Sequence, residues 1–550
     1  MKSPRFFAIV SLILFWVSAC QPSLWGTELP PPTFISPTAP PTSITSPTTI
    51  PTSTPSAQLL WVSPAIPASL RELTTSWGWS VTENKQDATI FLDVAKPEES
   101  QTSWIYALVA PFPTVTDGIS RNDLHAVWEG SYSGTFSGLP LLMDESTLAA
   151  FTALWGEPAP NIVKTVPADK LLDTAWNEMP SWGIIPFEDI EPRWKVLAID
   201  EQSPIRKNFN IDAYPLMANF GLTSKVQIHE VDLPATNRDP SKLTTLILTG
   251  VTALVRATAA TMDVKGITFP GKDIRDMLLE ADITHINNEV PFYGGCPKPD
   301  PNQPNMVFCS ATRYIQLLTD IGTDVVELTG DHFADYGQRA MTETLEIYKE
   351  NSIPYYGGGA NTEEGKKPLF MEVNGNKLMF IGCNIKPVYA TATDTKPGSV
   401  RCDFPYMTEQ IKINRARGYL PIATFQYNEY DSPVARPEQQ IDFRRMVDSG
   451  AVIVSGSQAH IPQVMELYHG AFIHYGLGNL FFDQMKAVGG PKATRREFID
   501  RHIFYNGRYI NIELITTYLE DFSRPRYMTP EERREFLTNY FEQSGWTPAP

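Results

Sequence analysis

A repeated order of strand, polar loop and helix constrains the second half of the chain more than any other feature. From about Lys242 onward, apolar strand-like runs each end in a polar cluster, and amphipathic helical segments lie between several of them. The runs are TTLILTG, ITHI, VVELTG, PIATF and AVIVSGS, and the helical segments are Asp273 to Ala281, Thr312 to Ile321, Gln338 to Glu350 and Glu438 to Ser449. This order predicts a layered α/β domain, because each helix must bury its apolar face on a sheet.

The polar clusters place acids and imidazoles directly after the strands. In layered α/β sheets, ligands bind beyond the carboxyl ends of the strands, where the loops converge. We therefore expect one cleft to collect five candidate catalytic residues: Glu289, Asp331, His332, Glu429 and His460. Carboxylates and imidazoles in one cleft can bind a divalent metal or perform general acid–base catalysis. Each residue also has a structural alternative, since such a side chain can simply bond to the backbone of a neighbouring loop.

Longer motifs in the same region resemble those of a known family. The motifs are NNEVPF from Asn287, DHFADYG from Asp331, YYGGGAN from Tyr355, QAHIPQ from Gln458 and HYGLGNLFFDQ from His474. In this order they resemble the CapA proteins of poly-γ-glutamate capsule synthesis, over the stretch from Lys242 to Met485. The resemblance implies a calcineurin-like metallophosphoesterase fold. It also implies work on an extracellular polyglutamate-like polymer or its attachment, through amide or phosphoester chemistry.

The chain departs from the metal-binding pattern of that family. Val251 stands where the family has the Asp of Gly-Asp, and Phe425 and Gln458 stand at two of its His positions. The Asn-Asn-His loop of the family reads Gly330-Asp331-His332 here. A two-metal phosphoesterase needs a bridging carboxylate and several imidazoles, so we do not expect a binuclear site. One divalent metal held by Asp331, His332 and His460, and a metal-free acid–base site, both remain open.

Two further expectations concern the same cleft. We expect Arg256, Asn287 and Asn479 to bind substrate, with Arg256 directed at a substrate carboxylate. Without a metal, the carboxylates of Glu289, Asp331 and Glu429 would repel one another, and the pKa of one of them should rise. A raised pKa would suit a general acid, and it would equally suit a site that has lost its activity.

The N-terminus has the features of an export signal. Lys2 and Arg5 precede an almost unbroken apolar run from Phe6 to Val17, and small residues lead to Cys20. The stretch resembles a bacterial lipobox, which implies cleavage after residue 19 and a lipid on the Cys20 sulfur; an uncleaved anchor is the alternative. Residues 20–57 are rich in Pro, Thr and Ser, which predicts an extended tether. This predicts an exported protein that is attached by its lipid to the outer face of the cell membrane.

The cysteines that follow the tether are even in number. Of the 5 cysteines in the chain, those beyond Cys20 are Cys296, Cys309, Cys383 and Cys402. In an exported protein this predicts two disulfides. Three pairings are possible, and proximity in the sequence favours Cys296–Cys309 and Cys383–Cys402. A zinc site is the alternative, although the chain has no CxxC pair.

Residues 58–235 form a separate body of strand-like and helical runs. The stretches PFPTVTDGIS, LHAVWEG, WGIIPFEDIEPRWKVLAID and YPL resemble type II periplasmic solute-binding proteins. In that family a Thr/Ser-rich loop leads into a helix N-terminus, whose amides suit an anion. The resemblance makes Thr114, Thr116, Asp117 and Ser146 candidate ligand contacts, and an ordinary helix cap without a ligand is the alternative. We place a second domain at 240–550, with a last strand at Tyr509 to Ile515 and a helix beginning after Thr529.

Charge narrows the choice of partners and functions. The formal net charge is −17, and no segment is strongly basic, which argues against a nucleic-acid partner. The prediction is a lipid-anchored CapA-like protein that synthesises, attaches or hydrolyses poly-γ-glutamate, as a hydrolase or transferase with a metal-depleted site. The alternative is a non-catalytic envelope protein that binds an extracellular polymer or a small anionic solute.

Overall fold

The structure, a computed structural model, describes residues 58–386, 389–430, 432–484 and 493–550. The predicted signal segment, Cys20 and the tether lie outside the described residues. Within the described ranges, no helix combines the length and apolar character needed to span a membrane.

The first body is a mixed sheet with helices packed on it. Its strands are β1 (Leu59–Val62), β2 (Ser80–Val81), β3 (Ile90–Val94), β4 (Thr102–Pro111), β5 (Gly118–Ile119), β6 (Leu141–Met143), β7 (Val163–Thr165), β8 (Trp182–Pro186), β9 (Trp194–Ile199) and β10 (Met217–Ser224). Its helices are α1 (Ala68–Leu73), α2 (Arg121–Trp128), α3 (Glu145–Trp155) and α4 (Ala168–Asn177). The strand order is β2-β1-β3-β10-β4-β8-β6-β7, and β9 pairs with β4 and β5. The central strand β4 is apolar and buried over nearly its whole length, as a strand covered on both faces requires.

The second body is built from the repeated order of strand, polar loop and helix. Its strands are β11 (Leu243–Thr252), β12 (Ile283–Asn288), β13 (Val325–Glu327), β14 (Tyr355–Tyr356), β15 (Gly358–Gly359), β16 (Leu369–Val373), β17 (Asn376–Asn384), β18 (Gly398–Ser399), β19 (Leu420–Gln426), β20 (Ile453–Ser457), β21 (Met465–Tyr468), β22 (Ala471–His474), β23 (Asn479–Phe481), β24 (Arg496–Tyr505), β25 (Arg508–Glu520) and β26 (Arg524–Tyr527). Its helices are α5 (Arg256–Lys265), α6 (Arg275–Glu280), α7 (Ile315–Asp320), α8 (Gly337–Glu350), α9 (Thr362–Gly365), α10 (Phe404–Ala416), α11 (Pro437–Asp448) and α12 (Pro530–Gln543). The predicted helical segments are confirmed to within a few residues.

These strands form two facing sheets. One has the order β14-β13-β12-β11-β24-β25-β26, and the other has the order β16-β17-β19-β20-β22-β21. Alternate residues along a strand face opposite sides of its sheet. Leu246 and Leu248 of β11 accordingly join the core between the sheets, while Ile247 joins the core under α5 to α8. A third core lies under α10 and α11 on the other outer face. The result is a helix–sheet–sheet–helix sandwich, and the predicted α/β fold class is confirmed.

The C-terminal part of the chain differs from its prediction. The last strand was expected at Tyr509 to Ile515, but β25 runs from Arg508 to Glu520, and β24 and β26 flank it. The reason is pairing: β24 joins β11 on one side and β25 on the other, so a long antiparallel extension completes the first sheet. The helix predicted after Thr529 is confirmed, with a capping box between Thr529 and Glu532, a common signature of a helix N-terminus.

The two bodies share contacts along β25. Asn511 Nδ2 donates to the Trp194 carbonyl at 2.7 Å, and Arg508 Nη1 donates to the Glu188 carbonyl at 2.9 Å. All described residues belong to one compact unit. The boundary between 58–235 and 240–550 stays a prediction from the sequence.

Candidate functional site

The candidate site lies where the carboxyl ends of both sheets of the sandwich meet. Hydrogen bonds join the two sheets there: Asn287 Nδ2 donates to Ser457 Oγ at 3.2 Å, and Asn384 Nδ2 donates to the Thr329 carbonyl at 2.7 Å. The strands β11 to β14 run parallel, as do β17, β19 and β20, and this brings their following loops to one edge. The loops after β12, β13, β17, β19 and β20 therefore supply the site.

Glu289 and Asp331 form a carboxyl pair at the centre. Glu289 is 1% exposed, and Gln426 Nε2 lies 3.2 Å from Glu289 Oε1 and 3.3 Å from Asp331 Oδ1. Burial, followed by the charge of Asp331, raises the pKa of Glu289 to about 8, since both effects disfavour the charged carboxylate. The expected rise of one carboxyl pKa is thus found at Glu289, with burial rather than repulsion as its largest cause.

Lys386 supplies the positive charge of this centre. Its Nζ lies 2.8 Å from Asp331 Oδ2 in a largely buried ion pair. Although burial acts to raise it, the Lys386 ammonium lowers the pKa of Asp331 below its usual value. With its amide nitrogen turned toward the acids, Gln458 donates to Glu289 Oε1 at 3.0 Å and to Asp331 Oδ1 at 3.1 Å, and its oxygen accepts from Lys386 Nζ at 3.0 Å. Groups of the protein itself therefore satisfy the carboxyl pair: the Lys386 ammonium pairs with Asp331, and the Gln458 amide donates to both carboxyl groups.

The backbone at Gln458 is held in an uncommon conformation. Its φ is +80°, in the left-handed region that a non-glycine residue rarely adopts. Such strain persists only where the surroundings over-determine it, and it is often found at functional sites. Here it turns the Gln458 amide toward the carboxyl pair.

His332 lies beside the carboxyl pair as a charged ring. Its Nδ1 is 2.7 Å from Asp335 Oδ2, and Asp335 also accepts from the Phe308 backbone N–H at 2.7 Å. Burial acts to lower the pKa of His332, but the hydrogen bond to Asp335 and the charges of Glu289 and Asp331 raise it to about 9. The ring is therefore an imidazolium at neutral pH, with Nδ1 donating to Asp335.

His460 is held as a neutral ring with one free lone pair. Its Nδ1 lies 2.7 Å from Asn479 Oδ1, and Asn479 Nδ2 donates to the His460 and Thr494 carbonyls at 3.3 Å. Because the Asn479 oxygen must then accept, Nδ1 carries the proton and Nε2 keeps its lone pair. Burial lowers the pKa of His460. Glu429 Oε1 lies 4.0 Å from Nε2, and the Glu429 side chain is 47% exposed.

The donor set does not fit the divalent metals that the fold resemblance implies. Among the described residues, no group of three or more His, Cys, Asp or Glu side chains is arranged to hold an ion. Asp331, His332 and His460 are not gathered into one ligand group, since His332 turns to Asp335 and Asp331 holds an ammonium. Carboxylates that already bind a lysine and two amides offer little free coordination to a cation. The groups available for chemistry at this site are therefore its own side chains.

The expected substrate-binding residues have partners inside the chain. Arg256 Nη2 lies 2.6 Å from Asp483 Oδ1, and its guanidinium stacks between Phe308 and Phe482 at 5.0 and 5.1 Å. A carboxylate of the protein thus takes the place predicted for a substrate carboxylate. Asn287 and Asn479 are each 1% exposed, and their amides position β20 and His460.

In the first body, the predicted ligand contacts Asp117 and Ser146 bond to other side chains of the protein. The Asp117 carboxylate pairs with Lys195 Nζ at 2.7 Å and with Arg533 Nε at 2.8 Å. Burial acts to raise its pKa, but these two cations lower it well below the usual range. Ser146 Oγ donates at 2.8 Å to Asp144, the N-cap of α3. The Asp144 side chain also accepts from the Thr147 backbone N–H in the first turn of the helix, as an N-cap residue does.

The threonines near Asp117 occupy different surroundings. Thr114 is fully buried and donates through Oγ1 to the Pro111 carbonyl at 2.8 Å. Thr116 lies at the surface, next to the C-terminal residues of the chain. A ligand role for Thr114, Thr116, Asp117 and Ser146 stays a prediction.

Sequence reasoning missed the partners of the carboxyl pair. Lys386 follows β17 as Asp331 follows β13, so its position after a strand was the available signal. Gln458 was noted only as a departure from a histidine pattern and Gln426 was given no role, but both amides bond to the carboxyl pair.

The cysteines bear out their predicted pairing. Cys296 is bonded to Cys309, and Cys383 is bonded to Cys402. The disulfide prediction is therefore confirmed, and these four thiols are not free to hold zinc.

The second body is a two-sheet α/β sandwich whose polar site lies at the carboxyl ends of its strands. Residues 245–484 match the family described as bacterial capsule synthesis protein PGA_cap. The recognition of CapA proteins from the motifs is thereby confirmed. The resemblance of the first body to solute-binding proteins stays a prediction.

Comparison with two CapA proteins and one solved structure shows how much of the chain is similar to known proteins. The chain is 26% identical over 292 residues to the capsule biosynthesis protein CapA of Bacillus anthracis, which covers 52% of this chain and 70% of that protein. It is 27% identical over 198 residues to the PGA biosynthesis protein CapA of Bacillus subtilis (strain 168), which covers 35% of this chain and 50% of that protein. Among solved structures, a hypothetical protein from Thermus thermophilus aligns with a TM-score of 0.34 and 15% identity, over 50% of this chain and 100% of that one.

Proposed function

We propose that this protein acts on a poly-γ-glutamate capsule at the cell surface, cleaving or transferring γ-glutamyl amide bonds without a metal. The match of residues 245–484 to the capsule synthesis family supports the substrate class. The observation that carries the chemistry is the Lys386–Asp331 pair at 2.8 Å. It puts a fixed cation in the site, where it can stabilise developing negative charge.

The roles of the side chains follow from their hydrogen bonds. His460 Nε2 has a free lone pair beside the exposed Glu429, so it takes the proton from the attacking water. In hydrolysis the C–N bond of the amide breaks, the hydroxyl joins the carbonyl carbon, and the protonated His460 gives its proton to the leaving nitrogen. The cations Lys386 and His332 stabilise the negative charge on the carbonyl oxygen. In transfer, an amine takes the place of water.

The test is cleavage of a γ-glutamyl oligomer of defined length by the purified full-length protein in detergent. We expect new amino groups and shorter chains by mass spectrometry, with the rate unchanged by EDTA. His460→Gln should lower the rate by roughly a hundredfold or more, as loss of a general base does. His469→Gln is the matched control, since His469 is 68% exposed and pairs with surface Asp448. No cleavage or transfer, or a strict requirement for an added metal, would contradict the proposal.

A second candidate is a non-catalytic binding protein for the same polymer. It is favoured by the two cations, Lys386 and His332, and by the closed hydrogen-bond network around the carboxyl pair. In that case His460→Gln should bind poly-γ-glutamate as tightly as the unchanged protein, and no product should form. Lys386→Met should weaken binding in both cases.

The proposed location is the outer face of the cell membrane, with a lipid on Cys20. The lipobox-like sequence and the tether support it, and the two disulfides agree with an oxidising compartment. Cys20→Ser should move the protein from the membrane fraction to the soluble fraction and abolish labelling by a radioactive fatty acid. Retention of the variant in the membrane fraction would favour an uncleaved anchor.

A further inference from the structure

The proposed substrate carries charges that the centre of the candidate site does not balance. Each unit of a γ-linked glutamate chain keeps a free α-carboxylate beside the amide bond to its neighbour. The two cations of the site are already in contact with carboxylates of the protein: Lys386 Nζ lies 2.8 Å from Asp331 Oδ2. His332 Nδ1 likewise lies 2.7 Å from Asp335 Oδ2. A bound chain therefore needs a further cation, because a carboxylate that loses water without gaining a partner weakens binding.

Arg401 lies beside the end of β17, the strand that leads to Lys386. The Asn384 backbone N–H donates to the Val400 carbonyl at 2.8 Å, and the Cys402 backbone N–H donates to the Asn384 carbonyl at 3.0 Å. This segment therefore runs parallel to β17, with Arg401 directly opposite Asn384. Because neighbouring strands are about 4.8 Å apart, Arg401 is one strand spacing from the end of β17.

The Arg401 side chain starts on the face of the sheet that lines the site. Residues directly opposite each other on neighbouring strands share a face, and so do residues two positions apart on one strand. The Asn384 side chain extends from this face to the Thr329 carbonyl of the other sheet. Lys386, two residues further on, extends to Asp331. Arg401 thus begins at the same edge of the sandwich as Lys386 and on the same side.

The Arg401 guanidinium is exposed, and within the described ranges no ion pair or side-chain hydrogen bond involves it. The nearest acid along the chain, Asp403, caps α10 instead, and its Oδ1 accepts from the Tyr406 backbone N–H at 3.1 Å. The disulfide from Cys402 to Cys383 holds the segment against β17. A free guanidinium on a fixed segment is suited to bind a carboxylate through two parallel hydrogen bonds.

We propose, on the basis of the proposed function, that Arg401 binds the free α-carboxylate of a γ-glutamyl unit and so makes the site selective for chains that keep these carboxylates. The order of strands places β19 and β20 on the other side of β17, and His460 follows β20. The chain would therefore extend along the strand ends, from His460 past Lys386 to Arg401. Because this carboxylate takes no part in the reaction, Arg401 contributes to substrate affinity and not to the chemical step.

The test compares two pentamers of γ-linked glutamate, one with free α-carboxylates and one with these groups converted to amides. Calorimetric titration of the full-length protein in detergent should show tighter binding of the acidic pentamer. Arg401→Gln should weaken that binding by about tenfold or more, as the loss of a charged hydrogen-bonded pair does, and leave binding of the amide pentamer unchanged. Arg401→Lys should recover part of the loss. In turnover, Arg401→Gln should raise KM and leave kcat unchanged.

Arg417→Gln is the matched control. Arg417 is also exposed, but it lies between α10 and the start of β19, at the opposite edge of the sheet. This variant should bind both pentamers like the unchanged protein, and equal urea midpoints would verify that both variants fold.

Two results would overturn the role of Arg401 and leave the proposed function standing. One is binding of the acidic pentamer by Arg401→Gln that equals binding by the unchanged protein, and the other is an equal loss for both pentamers. Failure of the unchanged protein to bind the acidic pentamer would instead overturn the proposed function, and this inference with it.

Discussion

Lys386 Nζ lies 2.8 Å from Asp331 Oδ2, and both side chains are mostly buried, at 20% and 12% exposure. Removing the ammonium would leave Asp331 beside the Glu289 carboxyl with no cation in contact. We expect Lys386→Met to lower the free energy of unfolding by about 2 kcal/mol, because an unpaired charge would remain buried. Urea unfolding followed by tryptophan fluorescence measures the change.

The control for this prediction is another lysine of the same body. Lys367 is 64% exposed and pairs with Glu363 only across a helix turn. Lys367→Met should therefore change the free energy of unfolding by less than about 0.5 kcal/mol. Equal effects of the two variants would mean that the Lys386–Asp331 pair contributes no more than a surface contact.

Much of this site could be predicted because it depends on a local pattern. Apolar runs of strand length followed by polar clusters placed Glu289, Asp331 and His460 after strand ends, and parallel strands bring such ends together. The partner of each side chain was not predictable in the same way. Lys386 and Asp331 are 55 positions apart in the sequence, and only the facing of two sheets brings their side chains into contact.

Asp117 illustrates why the first body was harder to interpret. Its loop pattern suggested a ligand contact, but one of its two cations is Arg533, which lies 416 positions further along the chain on α12. A sequence pattern within one segment carries no information about a partner from the other end of the protein. The Asp117 side chain is 58% exposed, and Lys195 and Arg533 together hold its pKa below the usual range.

His285 gives a prediction for the dependence of stability on pH. It is 2% exposed, and its Nε2 bonds to the Tyr356 hydroxyl at 2.8 Å. Burial lowers the pKa of His285 from 6.5 to about 3. Above pH 6.5 the ring is neutral in both states and contributes no pH dependence. Between pH 6.5 and 3 only the unfolded state binds the proton, so stability falls as the pH falls.

One variant is enough to measure how steeply the free energy of unfolding depends on pH. The loss should be about 1.4 kcal/mol per pH unit once the unfolded ring is protonated. His285→Gln removes the titrating ring. Between pH 6 and pH 4.5 the free energy of unfolding of this variant should therefore fall less steeply than that of the unchanged protein, by about 1.4 kcal/mol per pH unit. Some slope should remain, because burial also lowers the pKa of His502, to about 4. Parallel curves for the variant and the unchanged protein would contradict the burial argument.

Arg256 and Asp483 lead to a double-variant prediction. Arg256 bonds to Asp483 Oδ1 while the Ala257 backbone N–H donates to Asp483 Oδ2 at 2.7 Å, and the Asp483 side chain is 5% exposed. Arg256→Ala should destabilise the protein by about 3 kcal/mol, because the buried carboxylate loses its cation. Asp483→Asn together with Arg256→Ala should recover part of that loss, since no charge is then left unpaired.

The same pair distinguishes a structural arginine from a substrate-binding one. If Arg256 only holds Asp483, the double variant should keep the affinity for γ-glutamyl oligomers of the unchanged protein. If Arg256 also contacts substrate, affinity should fall in both the single and the double variant, whatever the recovery in stability. Binding measured beside urea unfolding separates the two outcomes.

The two disulfides close loops of similar length at different distances from the candidate site. The sequence separation is 13 for Cys296–Cys309 and 19 for Cys383–Cys402. Each should stabilise the protein by about 3 kcal/mol through the entropy of the unfolded chain. Double Cys→Ala variants compared by guanidinium unfolding measure each contribution. Titration of the denatured, unreduced full-length protein should find no free thiol, because the four cysteines are paired and the proposed lipid occupies the Cys20 sulfur; four free thiols would contradict the pairing.

Only the second disulfide should also affect the candidate site. Cys383 precedes Asn384, whose side chain holds the Thr329 carbonyl and whose Oδ1 accepts from the Lys386 backbone N–H at 2.7 Å. Loss of Cys383–Cys402 should therefore loosen Lys386 and weaken poly-γ-glutamate binding or turnover, whereas loss of Cys296–Cys309 should lower stability alone. Equal functional losses in the two variants would show that activity follows overall stability. A loss confined to Cys383→Ala/Cys402→Ala would show that the end of β17 must be fixed for Lys386 to act.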